Sequence, residues 1–269
     1  MRLRIRHRTI FRYDQPVTYA IQALRMMPRR HQGQAIEDWS VTVTGRRQLL
    51  VGYLDGFGNW VHLHSRNESH QETELVVSGI VELIDREGAV VGADEPLPPT
   101  YFLRQTALTR PDAGLAEIVA AIPAGRDLER LHRLMAAIGE AIAYQATGSA
   151  VPRSAGDALA AGEGDCRDLA HAMAGCARAL GLPARYVTGY LHDETGAGIA
   201  GHAWTEVYIA DVGWVAVDAV RQALTRDRHL RVAVGLDYWS TAPVRGVWRG
   251  AADETQSETI QVAAAEMTQ

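Results

Sequence analysis

The chain is poor in cysteine. It has two among 269 residues, Cys166 and Cys176, too few for the disulfide framework of a secreted scaffold. It also lacks an excess of positive charge: 27 Lys and Arg against 32 Asp and Glu give a formal net charge of -5. No global basic field therefore draws it to nucleic acid or to an anionic membrane. Long apolar runs are missing too, and none approaches the roughly 18 residues of a membrane span. The first residues, MRLRIRHRTIFRYDQP, are basic. No apolar stretch of about 7–15 residues follows, so they do not read as a secretory signal. These absences predict a cytoplasmic protein whose partner is neither nucleic acid nor membrane. What is present is ordinary globular material, 47% hydrophobic and 22% charged, in a chain long enough for two domains.

The first third reads as β. Leu3, Ile5, His7, Thr9 and Phe11 alternate with Arg2, Arg4, Arg6 and Arg8, a period of two. The arginine row reads first as a solvated strand face or charged edge, and second as a binding stripe. Further strand-like runs are Trp39–Thr44, Trp60–His64 and Leu75–Leu83, with a turn at Asp55–Asn59. Short strands separated by turns predict an antiparallel β-sandwich or small barrel over residues 1–90. Pro96, Pro98, Pro99 and Pro111 make residues 91–126 a linker or wrapping segment. From residue 127 the period turns helical. Leu128, Leu131, Leu134, Met135, Ile138 and Ile142 share a stripe, with Asp127 as N-cap. A second helix opens near Asp165, and strand-like runs follow at Ala184–Leu191, Ala203–Ile209, Trp214–Val220 and His229–Val234. Residues 127–250 thus form an α+β core. The polar, alanine-rich residues 251–269 read as a flexible tail.

Both cysteines lie in GEGDCRDLAHAMAGCARALGLP, residues 162–183. Leu169, Ala172, Met173, Cys176 and Leu180 make an apolar helix stripe, which Gly181 and Pro183 end. Ten residues of helix separate the cysteines by roughly 15 Å. A disulfide needs Cα atoms within about 7 Å, and a shared metal ion is excluded by the same distance. His171 is rotated about 140° from Cys166 on the helix, a poor co-ligand. Cys176 reads as core packing. Cys166 sits in the first turn, where free N–H groups and the helix dipole favour a thiolate and can hold an oxyanion. Asp165 can cap this helix and Asp168 can support the cap.

A thiol nucleophile needs a base and a group that orients the base. His202 opens the strand GHAWTEVYI, and Asp218 closes GWVAVD on the next one. A turn at residues 210–213 makes them an antiparallel hairpin, with Asp218 across from Trp204 or Thr205. A carboxylate there can fix an imidazole tautomer.

GEGDCRDLAHAMAGCARALGLPARYVTGYL followed by GHAWTEVYIADVGWVAVDA resembles the core of bacterial transglutaminase-like proteins, members of the papain-like superfamily. DGFGNWVH resembles the β-rich domain that often precedes this core, and HLRVAVGLDYWSTAPVRGVWRG the stretch that closes it. The resemblance spans nearly all of residues 1–250. It implies a papain-like core of helices packed on an antiparallel sheet. It carries over Cys166 as nucleophile, His202 as general base and acid, and Asp218 as the orienting residue. Two positions depart from the pattern: Ala219 follows the aspartate where proline is common, and Arg167 follows the cysteine where glutamine is common. The implied activity is a thiol-dependent peptidase or amidase acting on peptides or proteins through a thioester, without metal or cofactor. The alternatives are glutamine cross-linking by an attacking amine, or a non-catalytic peptide-binding module.

Overall fold

The computed structural model describes residues 1–43, 51–146, 151–193 and 201–265. Six strands open the chain: β1 (Arg2–Val17), β2 (Tyr19–Met27), β3 (Gln34–Val43), β4 (Val51–Leu54), β5 (Trp60–Arg66) and β6 (His70–Leu83). Next come β7 (Ala89–Val90), a 3-10 turn at Pro99–Leu103, α1 (Ala113–Ala121), α2 (Asp127–Ala141), β8 (Ala143–Tyr144), α3 (Ala155–Ala161), β9 (Glu163–Gly164) and α4 (Cys166–Ala179). The remainder is β10 (Ala184–Leu191), β11 (Gly201–Ile209), β12 (Gly213–Asp218), β13 (Ala223–Leu224), β14 (His229–Gly235), α5 (Tyr238–Thr241), β15 (Val244–Arg249) and β16 (Glu254–Ala264).

Two four-stranded antiparallel sheets, ordered β16-β1-β6-β3 and β15-β2-β5-β4, form the expected sandwich. They share a core in which Phe11, Tyr13 and Leu75 meet Leu24 and Met26. The period of two in β1 explains the packing: Leu3 and Ile5 are buried while Arg4, Arg6 and Arg8 are exposed. The arginine row is a solvated face laced by cross-strand ion pairs, Arg8 with Glu74 at 2.5 Å and Arg12 with Glu72 at 3.0 Å. Thr44, expected to end the third strand, lies outside the described residues.

The expected flexible tail is corrected. Glu254–Ala264 runs antiparallel along β1, from Leu3 opposite Ala264 to Tyr13 opposite Glu254. Ile260 and Val262 pack against the cluster of Leu3, Ile5 and Val81, and that alternation outweighs the polarity of the stretch. β15 likewise pairs with β2, so the end of the chain completes both sheets of the sandwich. Residues 266–269 lie outside the described residues.

The expected linker also contains structure. In α1 the Asp112 side chain accepts the Leu115 N–H at 2.9 Å, and Leu115, Ile118, Val119 and Ile122 meet the helical core. Their spacing is helical but stands directly behind Pro111. In α2 the cap position is Arg126, without a side-chain cap. Asp127 lies inside the first turn and pairs with Arg130 at 2.9 Å. Leu128 is exposed, while Leu131, Leu134 and Ile138 are buried.

A third, six-stranded sheet is antiparallel, ordered β13-β12-β11-β10-β14, with β7 paired to β12. One face packs on the helices through Val207, Ile209, Val215 and Val217. The other carries Trp204 and Ala216, which meet Phe57 and Val90. Strand β14 is an edge, and two carboxamides of the sandwich satisfy it. Asn59 bonds the Val234 carbonyl at 2.7 Å and accepts the Val234 N–H at 2.8 Å. Gln34 does the same for Arg231, at 2.9 Å each. An edge satisfied this way cannot recruit another strand.

Candidate active site

Cys166 opens α4 because the residues before it build a helix start. Gly162 ends α3 with φ 68, a left-handed conformation that suits glycine. Asp165 then caps α4: its side chain accepts the Arg167 N–H at 2.9 Å, and Asp168 accepts the Asp165 N–H at 3.1 Å. Arg153 holds Asp168 at 2.8 Å and Arg167 holds Asp165 at 2.5 Å. Arg167 also lies over the Tyr238 ring, 5.6 Å from its centre. The departure from the family pattern at this position therefore buttresses the cap. The cap takes the amides of Arg167 and Asp168. The Cys166 amide, at the first helical position, has no intrahelical acceptor.

The two thiols differ as expected. Cys166 is partly exposed and Cys176 is buried. Burial pushes the Cys176 thiol up to about 12, with Asp112 adding to it, so it stays a protonated core residue. His171 is also structural. It stacks on Tyr186 at 4.8 Å, and its Nε2 accepts the Tyr238 N–H at 3.1 Å.

His202 and Asp218 meet in the buried centre of the sheet. Thr205 pairs with Val217, and one step further puts Asp218 across from Trp204, as the hairpin reading expects. His202 Nε2 lies 2.8 Å from Asp218 Oδ2 with both side chains at 0% exposure. The second ring nitrogen, Nδ1, is buried without a hydrogen-bond partner. Cys166 approaches the ring short of full hydrogen-bond geometry, yet near enough to act on it. Burial alone would lower the His202 pKa, but Asp218 and Cys166 outweigh it and raise the pKa to about 10. Burial alone would raise the Asp218 pKa, but hydrogen bonds from His202 and His229 hold it well below the usual carboxylate range. The other Asp218 oxygen accepts the Val220 N–H at 3.0 Å and the Arg221 N–H at 3.3 Å. Those two amides fix the loop in which Ala219 replaces the common proline.

His229 is the residue that sequence reasoning missed. Its Nε2 lies 3.0 Å from the same Asp218 oxygen. As one of ten histidines at a strand start, it gave no signal of its own. Among the described residues, His202, Asp218 and His229 form a group of potential metal ligands, with ligand atoms within 4.8 Å of one another. A metal fits poorly. His229 Nδ1 accepts the Arg226 N–H at 3.2 Å. To ligate through Nε2 the ring would carry its proton on Nδ1, facing that N–H donor to donor. Tyr186 is fully buried beside Cys166, and its hydroxyl has no hydrogen-bond partner.

Among the described residues no helix is long and apolar enough to cross a membrane. The family model of the transglutaminase-like superfamily matches residues 116–219, and that of the bacterial transglutaminase-like N-terminal region matches residues 3–82. An uncharacterized protein of Mycobacterium leprae (strain TN) is 27% identical over 270 residues, covering 94% of this chain and 95% of its own length. Another, from Mycobacterium bovis, is 26% identical over 273 residues, covering 91% and 87%. A solved structure of a candidate cysteine protease from Cytophaga hutchinsonii has a TM-score of 0.79 at 21% identity, covering 100% of this chain and 92% of that one. At that identity it shows the shared fold. The chain belongs to the transglutaminase-like superfamily, with the bacterial transglutaminase-like N-terminal region ahead of its core.

Proposed function

We propose that this protein cleaves amide bonds of peptides or proteins through Cys166, His202 and Asp218 and a thioester intermediate. Membership of the superfamily supports the coarser kind, a thiol-dependent hydrolase or acyltransferase. One observation carries the finer reading. His202 is held through Nε2 by a buried carboxylate at 2.8 Å, and its Nδ1 is left without a partner on the approach to Cys166.

The chemistry follows from that arrangement. The Cys166 thiolate attacks the amide carbonyl carbon, and the oxygen takes the π electrons. The Cys166 amide at the helix start can donate to that oxyanion. His202 Nδ1 then gives its proton to the leaving nitrogen, the C–N bond breaks, and a thioester remains. Water attacks the thioester while the neutral Nδ1 takes its proton. The thiolate leaves and the imidazolium is restored. Asp218 stays ionised throughout and keeps Nε2 protonated.

The test is to trap an acyl-enzyme from cell-extract peptides and locate it by mass spectrometry. A peptide-derived acyl group on Cys166, absent from folded Cys166→Ala, is expected. An adduct on Cys176, or none on either thiol, would sink the proposal. Added primary amine should leave the product a free carboxylate; an amide product would shift the reading to cross-linking.

A further inference from the structure

We infer that His229 is a positioning residue of this site: a second, neutral imidazole that donates to Asp218 and sets how much of its charge reaches His202. The inference rests on the proposed function for its purpose, though its geometry is independent of Cys166.

The tautomer of His229 follows from its neighbours. A backbone N–H can only donate, so the Arg226 amide, 3.2 Å from Nδ1, requires a lone pair there. The proton of the neutral ring is then on Nε2, 3.0 Å from Asp218 Oδ2. That oxygen receives two N–H donors, from His202 and His229, and the other oxygen receives the Val220 and Arg221 amides. A carboxylate has about four acceptor sites, so Asp218 is saturated and cannot swing away. Trp204 locks both imidazoles. Its ring lies 6.2 Å from His202 and 5.5 Å from His229. It lies across Gly189, where a Cβ would come within 2.6 Å of it.

The two rings have different duties. Burial lowers the His229 pKa, Asp218 and the Arg226 backbone offset this only in part, and positive charge on His202 lowers it further. His229 therefore stays neutral when His202 is an imidazolium. A neutral donor stabilises the carboxylate without competing for its charge. The charged groups around His229 are Asp218 on β12 and His202 on β11. A shallow cleft beside it adds His31, Arg86, Arg226 and Asp227. Asp227 is paired to the amino terminus at 3.4 Å and Arg226 to Asp85 at 3.1 Å, which limits their pull.

The experiment is NMR of histidine-labelled full-length protein across pH, with His202→Gln and His229→Gln used for assignment. In the wild type, His229 should hold its proton on Nε2 at pH 7 and above; a proton on Nδ1, or an imidazolium at pH 7, overturns the inference. In His229→Phe, which keeps the ring but cannot donate, Asp218 acts on His202 alone. The His202 midpoint should rise by about one unit, a tenfold change in proton affinity. His229→Gln, which can donate, should bring it back. An unmoved midpoint in a folded His229→Phe, or a Gln variant no nearer wild type than Phe, refutes the inference. If His229→Phe does not fold, the wild-type tautomer decides. Failure of the proposed function is distinguishable, since it would appear as an unreactive Cys166 with these histidine titrations unchanged.

Discussion

Replacing Asp218 with asparagine keeps the size of the side chain and removes its charge. In the wild type His202 titrates at about 10 although burial opposes its charged form. Without the carboxylate, Cys166 alone opposes burial, and the midpoint should fall well below its wild-type value. The fall should exceed about one unit, or roughly 1.4 kcal/mol. Folding stability carries a second cost. One oxygen of Asp218 receives both imidazoles and the other receives two amides. The amide nitrogen introduced by Asp218→Asn would face one of these donor pairs, which costs about 1–3 kcal/mol for each donor left without an acceptor. The His202 contribution is fully present below about 6.5 and is lost as pH rises toward its folded pKa of about 10. The Asp218 contribution is present above the unfolded carboxylate value and is lost as pH falls through its depressed folded value. The gap in stability between wild type and Asp218→Asn should therefore be widest between about pH 4 and 6.5. Histidine NMR titration reads the midpoint, and urea denaturation at three pH values reads the gap. A His202 midpoint that stays within one unit of wild type in Asp218→Asn would refute the electrostatic reasoning.

Three further outcomes are expected. Glu206 is fully buried between Arg185 at 2.5 Å and Arg231 at 2.9 Å. Glu206→Gln should therefore cost about 3–5 kcal/mol at pH 7 by leaving two buried cations to share the single carboxylate of Glu95. Burial would raise the Glu206 pKa, but the two arginines hold it below the ordinary value. The deficit should shrink in acid, as wild-type Glu206 protonates; a loss under about 1 kcal/mol at pH 7 would contradict the account. Gly189→Ala places a Cβ 2.1 Å from the Leu230 carbonyl oxygen and 2.6 Å from Trp204. Overpacking of about 1–3 kcal/mol should lower Tm and shift tryptophan fluorescence, and an unchanged Tm would show that the sheet gives way freely. Ending the chain at residue 250 removes Ile260 and Val262 from the Leu3 cluster. It should cost about 2–4 kcal/mol, whereas a free tail would cost nothing in a thermal melt.

The arrangement of the candidate site was largely legible because its signals are local. The cap around Cys166 is written in five consecutive residues, and a short hairpin places Asp218 across from Trp204, two positions from its partner His202. His229 was not legible, because what recruits it is register across the sheet: β10 lies between β11 and β14. The sandwich was readable from the alternation in β1. β16 was not, because its apolar residues stand among polar ones and its partner strand is at the other end of the chain. α1 hid behind Pro111, which marks a helix entrance as readily as a linker.

The central claim is that Cys166 is the nucleophile and Cys176 is packing. Native protein treated with substoichiometric iodoacetamide at neutral pH, digested and analysed by mass spectrometry, compares the two thiols in one molecule. Cys176 is buried with its pKa pushed up to about 12, so it should react only after unfolding. Cys166 should react on the order of 10²-fold faster or more, and more slowly in His202→Gln. Equal rates for the two cysteines, or a Cys166 rate unaffected by loss of His202, would contradict the account.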